Sequence, residues 1–188
     1  MNDKNTDSVF SHRINEKDVI IKVCSHWQSF VEENNGASHI MPENIIGTTL
    51  WDHIIGAETK HLYEIILQKV RANKRPAKFH FRCDSPELRR FLTLEVIPHD
   101  DNSVEFISTI IKTESRDPVH ILRTDIERSD EFLRICSMCK KIALSDTNWV
   151  ELEVAIEKLK LFDLVALPHF THSMCKACYK AVMAELDD

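Results

Sequence analysis

The sequence predicts an α+β fold in which a strand-and-helix domain is followed by a connector helix and a small, α-rich, cysteine-bearing module. Three observations predict it. Short strand-like runs flank one long amphipathic helical pattern between residues 14 and 116. A helix-start dipeptide, Asp117-Pro118, follows them. Two Cys-x-x-Cys units, Cys136-Ser137-Met138-Cys139 and Cys175-Lys176-Ala177-Cys178, then occupy the end of the chain.

Residues 1–13 are polar and aperiodic and are expected to be a tail. Val19-Ile20-Ile21-Lys22-Val23 and Trp27-Gln28-Ser29-Phe30-Val31 read as the two strands of a hairpin, ended by Asn34-Asn35-Gly36. From Pro42 the pattern turns helical, in short pieces broken at Gly47 and Gly56. Between Ala57 and Asn73, Leu62, Ile65, Ile66 and Val70 keep helical spacing opposite Glu58, Lys60, Glu64 and Gln68. Three strands are predicted at 77–83, 91–98 and 104–112, joined by Asp84-Ser85-Pro86 and Asp100-Asp101-Asn102. Alternation puts Phe79, Phe81 and Cys83 on one face and Lys78, His80 and Arg82 on the other. The last strand is apolar on both sides, so its outer face calls for cover by the N-terminal segment, the C-terminal module or a second subunit.

In the connector, Val119, Leu122, Ile126, Ser129, Leu133 and Cys136 follow a and d spacing for about two and a half heptads, which predicts a helix over 117–135. That helix could pair with its twin in a homodimer or lie across its own sheet. In the module, residues 136–188, Asn148 and Glu151 have capping-box spacing. Leu152, Ala155, Ile156, Leu159 and Phe162 then give a helix its apolar face, and a short helix over 179–186 ends the chain.

Composition narrows the function. The 188 residues carry 30 Asp and Glu against 24 Lys and Arg, a net charge of -6. From Asp117 onward thirteen acidic residues face nine basic ones. Neither balance supplies the basic field that nucleic acid or anionic lipid requires. No run approaches the roughly 18–20 apolar residues of a membrane span, and the polar start does not read as a signal peptide, so the cytoplasm is the expected location. None of the three glycines sits in a phosphate-cradling loop, and neither a Gly-x-Ser-x-Gly nor a His-Glu-x-x-His motif occurs. The chain therefore reads as a non-catalytic protein.

Four of the six cysteines fall in the doublets, while Cys24 and Cys83 read as small buried hydrophobes. In a reducing compartment two doublets point to metal or redox chemistry. Cys136, Cys139, Cys175 and Cys178 can converge on one tetrahedral ion, zinc first among candidates, with His169 or His172 as a substitute for one thiol or a support behind the ligands. The alternative is a thiol-disulfide switch with thiolates favoured by Lys140, Lys141 and Lys176. A third reading makes a cysteine and His172 a nucleophile and base.

The first domain resembles PAS domains. The resemblance rests on Pro42-Glu43-Asn44-Ile45-Ile46-Gly47, Leu50-Trp51-Asp52, the long helix through Tyr63, and Phe79-His80-Phe81-Arg82-Cys83-Asp84. It implies a five-stranded antiparallel sheet with helices across one face, and a sensing or dimerising role. It also implies a pocket between helix and sheet, for which Trp51, His61, Leu62, Ile65, Phe79 and Phe81 are the candidates. Heme there would need an axial ligand from His53, His61 or His80, and the charged surroundings of His61 and His80 argue against it. The Asn-Cys-Arg-Phe-Leu-Gln motif of flavin-photoadduct members is absent.

The tail resembles a small Cys-x-x-Cys module found at the ends of some bacterial signalling proteins with PAS or receiver domains. Ile135 to Cys139, Lys141-Ile142, Trp149, Glu153, and Thr171-His172 through Tyr179 carry it. Ser173 and Lys176 stand where such tails often have Gly and Pro. The resemblance implies a regulatory protein whose output passes through a signalling partner.

Overall fold

A computed structural model describes residues 9–33, 40–123 and 125–187. The first sheet is five-stranded and antiparallel, in the order β2-β1-β5-β4-β3, built from β1 (Val9–Ile14), β2 (Ile20–Val23), β3 (Ala77–Asp84), β4 (Leu88–Pro98) and β5 (Val104–Ser115). Between β2 and β3 come α1 (Trp27–Glu33), α2 (Pro42–Ile45), a 3-10 turn Leu50–Asp52 and the long α3 (Ala57–Asn73). The apolar stripe of α3, Leu62, Ile66 and Val70, packs with Ile14, Val96, Val104 and Phe106 to form the core. This is the five-stranded antiparallel sheet with helices that the PAS resemblance implies.

Two N-terminal expectations change. The sheet begins at Val9, inside the supposed tail, because Phe10, His12 and Ile14 alternate toward the interior and β1 pairs with β5 along its whole length. Residues 1–8 lie outside the described residues, as does the turn at Asn34-Asn35-Gly36. The hairpin therefore joins β1 to β2, closed by Asn15, whose side chain accepts from the N–H groups of Lys17 and Val19 at 2.9 and 3.0 Å. Trp27 to Val31 form part of helix α1, not a strand.

The connector is not a helix. After a 3-10 turn at His120–Leu122 the chain extends as β6 (Arg128–Cys136). The heptad pattern was too short to specify a helix, and β6 pairs instead with β9 (Leu167–Ser173), chiefly over Phe132–Cys136, and at Ile135 with β7 (Ile142–Ala143). With β8 (Trp149–Val150) these make a second sheet in the order β8-β7-β6-β9. The module is thus not α-rich: it holds a four-stranded sheet with α4 (Leu152–Lys158) and the terminal α5 (Lys176–Asp187). Asn148 lies in the β7–β8 turn, where its carbonyl accepts from Leu144 N–H, and Glu151 takes the position before α4.

The two sheets are locked together. Alternation along β3 is unbroken, so Phe79, Phe81 and Cys83 share one face and Lys78, His80 and Arg82 the other as expected, but Arg82 is buried under the module and Cys83 is exposed. At the sheet edge Arg82 N–H donates to Met138 carbonyl at 2.7 Å, so the cysteine loop covers the open strand at this point. The Arg82 guanidinium then pairs with Asp84 at 2.5 Å and with Glu151 at 2.7 Å, and Arg116 adds Asp84 and Glu153 at 3.4 Å. At the other end of the junction, Glu58 accepts from the Ser173 hydroxyl and from Met174 N–H. Thr59 and Ser137 hydroxyls meet at 2.7 Å. Gly56, at φ +94°, runs so close to β9 that a Cβ there would lie 2.7 Å from His172 carbonyl.

The Asp84 carboxylate is 4% exposed and shared by two enclosed guanidinium groups. Asp84→Ala is therefore expected to cost about 3 kcal/mol, because it strands buried positive charge at the joint. Urea unfolding of the variant measures this, and a loss below about 0.5 kcal/mol would show that the network is only a surface ornament.

Candidate metal centre

Parallel pairing of β6 with β9 brings the doublets together. The register aligns Cys136 with Ser173, so both strands end at the same level and release their cysteines into one space. The first doublet forms a tight loop after β6: Cys136 N–H donates to Lys141 carbonyl at 2.8 Å and Lys140 N–H to Cys136 carbonyl at 3.0 Å. Lys140 closes it at φ +60°. The second doublet lies at the start of α5, where unpaired N–H groups and the helix dipole favour negative charge.

The four Sγ atoms lie within 4.8 Å of one another, and Cys139 Sγ is 3.8 Å from Cys175 Sγ. Sulfurs bound at about 2.3 Å to a tetrahedral ion sit about 3.8 Å apart, so the cage has the dimensions of a four-thiolate site. Backbone N–H groups support it: Cys175 N–H points to Cys136 Sγ at 3.5 Å and Cys178 N–H to Cys175 Sγ at 3.4 Å. Among the described residues this is the group of His, Cys, Asp and Glu side chains placed to hold a metal ion.

The four thiols share their protons unequally. Hydrogen bonds from the Cys139 and Cys178 thiols, aided by the N–H groups of Cys175 and Cys139, pull the Cys136 thiol far below its usual range. The same interaction pushes Cys139 up to about 12 and Cys178 higher still. One thiolate is tolerated and its neighbours stay protonated, unless a dication balances all four.

His172 does not join the cage. Burial, with the nearby Lys140 charge, lowers its pKa, and its Nδ1 is buried without a hydrogen-bond partner. His169 stands on the β9 surface near the exposed Phe132 ring. Cys24 is half-buried and Cys83 exposed, so neither is the buried hydrophobe expected.

The six pocket candidates separate. Leu62 and Phe79 are buried in the core, with Ile65, Phe81 and Trp51 packed at its margin. Trp51 donates its Nε1–H to Asp18 at 3.0 Å. His61 points away from the interior, 67% exposed and facing Glu64 at 3.6 Å, because its position on α3 is on the solvated side. His80 is exposed as well.

The interior imidazole is His12, which the sequence reading missed by placing it in a tail. Its ring stacks on Phe106 at 4.8 Å and meets Trp27 edge-on at 5.8 Å, and Tyr63 continues the cluster from Phe106. Strand alternation through Phe10, His12 and Ile14 was the signal that could have found it.

No family model and no curated protein sequence matches the chain. Among solved structures, a domain of an HTR-like protein from Haloarcula marismortui aligns at 13% identity and a TM-score of 0.39, covering 55% of this chain and 98% of that one. A sensory box sensor histidine kinase from Vibrio cholerae aligns at 12% identity and a TM-score of 0.39, covering 56% and 82%. The strand order and helices described above give the first domain a PAS-like fold. Among the described residues no helix is long and apolar enough to cross a membrane.

Burial of His12, aided by the charge of His53, lowers its pKa to about 4, and its Nε2 has no partner. The folded state therefore holds the neutral ring. Stability is complete above the unfolded pKa of about 6.5 and falls as the pH drops toward 4, by up to about 3 kcal/mol. In His12→Phe this part of the acid loss is expected to vanish. Urea midpoints between pH 7 and 4 measure it, and parallel curves for variant and parent would contradict the assignment.

Proposed function

We propose that Cys136, Cys139, Cys175 and Cys178 hold one zinc ion, and that the chain is a cytoplasmic regulatory module acting through contact with a partner protein rather than by catalysis. The observation that carries the metal reading is the convergence of four sulfurs within 4.8 Å. Zinc is the ion whose chemistry best suits a closed set of four thiolates, and a closed set leaves no open position for substrate. Here the metal fixes the turn after β6 to the first turn of α5, and through Met138, Ser137 and Glu58 it fixes the module to the PAS-like domain.

The partly apolar outer face of the first sheet supports self-association. Ile21 and Ile111 are 45% and 56% exposed, and no element of the described chain lies over them. We infer a homodimer through this face, with the signalling partner binding elsewhere. Light scattering of the intact chain is expected to give twice the chain mass, and a monomer at every concentration up to the highest attainable would remove the inference.

The redox alternative predicts a different molecule: two thiols lost on mild oxidation, with no metal involved. Elemental analysis separates the two readings. One zinc per chain is expected, and Cys175→Ser should lose most of the metal and lower the urea midpoint. Protein purified without chelator that contains no stoichiometric metal, and that loses thiols reversibly to mild oxidant, would overturn the zinc reading in favour of the switch.

A further inference from the structure

Cavities flank the cysteine cage on two sides. The one near His172, of about 140 Å³, has none of the four thiols in its wall. The other, of about 170 Å³, lies between α5 and β3 and has Cys178 in its wall, beside Phe79, Met138, Ala181 and Val182. Its polar lining is Lys78, His80 and Glu185.

Cys178, Ala181, Val182 and Glu185 follow i, i+3, i+4, i+7 spacing, so they share one face of α5, and that face is one side of the cavity. β3 is the opposite side, where Lys78 N–H donates to the Glu185 carboxylate at 2.9 Å. The thiols differ in reach. Cys136 and Cys175 are buried, whereas Cys139 and Cys178 are half-buried, and of these two it is Cys178 that borders this cavity. The Lys78 ammonium is spent on Glu95 at 2.7 Å, so Glu185 and the thiolates oppose an anion, and the apolar walls disfavour a solvated cation. The cavity suits an uncharged guest.

We propose that this cavity admits a small alkyl hydroperoxide to Cys178, and that oxidation of its sulfur opens the cage. The proposal rests on the four-thiolate reading given above, because a metal-bound sulfur is deprotonated and the thiolate is the nucleophile. Cys178 Sγ attacks the terminal peroxide oxygen. An S–O bond forms, the O–O bond breaks, and the alkoxide leaves and takes a proton from water. The sulfur gives up two electrons and becomes a sulfenic acid, and the peroxide accepts them and becomes an alcohol. A second thiolate of the cage, all four sulfurs lying within 4.8 Å, then attacks the Cys178 sulfur and expels hydroxide, leaving a disulfide. Two thiolates remain, half of a closed four-thiolate set.

The surroundings favour this class of electrophile. The volume equals about five or six waters at about 30 Å³ each, room for an alkyl group of about four carbons against Phe79, Met138 and Val182. Hydrogen peroxide, without an apolar body, gains nothing from such walls. An alkylating agent leaves one capped sulfur, whereas three neighbouring sulfurs suit an oxidant whose product they can convert to a disulfide.

The test treats the intact, zinc-loaded protein with tert-butyl hydroperoxide, with hydrogen peroxide for comparison. A chromogenic chelator follows zinc release, and a sulfenic-acid probe with peptide mapping locates the first oxidised sulfur at low conversion. The first label is expected on Cys178. With each rate divided by that oxidant's rate toward free glutathione, tert-butyl hydroperoxide is expected to exceed hydrogen peroxide by about fivefold or more. Ala181→Leu, at an exposed helix position, narrows the cavity and should slow the tert-butyl hydroperoxide reaction by about fivefold or more with zinc content unchanged. A first label on Cys136, Cys139 or Cys175, or a folded Ala181→Leu protein that reacts at the parent rate, overturns the proposal. The mapping needs no variant and decides alone should Ala181→Leu fail to fold. Zinc content before oxidant judges the metal reading separately: zinc-free protein refutes that reading, while the position of the first label still decides this one.

Discussion

The parallel pairing of β6 with β9 is the constraint on which the C-terminal half depends. Two parallel strands cannot be joined by a tight turn, so the chain between them must cross over, and here it does so through β7, β8 and α4. The crossover builds its own core from Ile135, Ile142, Leu152, Ala155, Ile156 and Leu161. Its result is that the two doublets leave neighbouring strand ends at one level. The metal cage follows from strand register, and a spacer of 35 residues between Cys139 and Cys175 is what a crossover needs rather than an excess over a compact ribbon.

Charge and packing divide the labour at the joint between the sheets. Cys136, Met138, Cys175, Val182 and Leu186 belong to the same apolar cluster as Leu62, Phe79 and Phe106, so the module completes the core of the first domain. Around this seam run the Arg82, Asp84, Glu151, Arg116 and Glu153 pairs. Burial works against the Arg82 charge, but its bonds to Asp84 and Glu151 outweigh that and raise its pKa above the ordinary guanidinium value. Replacing such a buried network by apolar packing of equal volume is often neutral or stabilising, whereas removing one partner strands the other charges. The cysteine cluster on that seam is tied to α3, because Glu58 and Thr59 in its first turn bind Ser173 and Ser137.

The cavity near His172 belongs to the same seam. It is lined by Asp84, Lys140 and His172 among apolar side chains, and Lys140 Nζ donates to the Ser137 carbonyl at 2.9 Å. In the first domain, by contrast, the space between helix and sheet is occupied by Leu62, Ile66, Val96 and Phe106, each nearly inaccessible to solvent. The unpaired polar atom of that interior is His12 Nε2, at the edge of the same aromatic cluster.

Local patterns in the sequence determined the long helix, the β3–β4–β5 meander and the identity of the four thiols, because each depends on near neighbours: a 3.6-residue stripe, turn residues between alternating runs, and paired cysteines. They did not determine β1, β6 or β9. Val9–Ile14 lacks the run of strong strand formers that would mark it alone and is stabilised by β5, about 90 residues away in the chain. Arg128–Cys136 carries a weak heptad that two strand partners override, and Leu167–Ser173 contains Pro168 and two histidines. The burial of Arg82 beneath the module and of His12 beneath Phe106 and Trp27 was likewise settled by contacts between separate segments of the chain. Which atoms could bind metal was thus written in the residue types, whereas bringing them within 4.8 Å was decided by strand register, a property that exists only once distant segments pair.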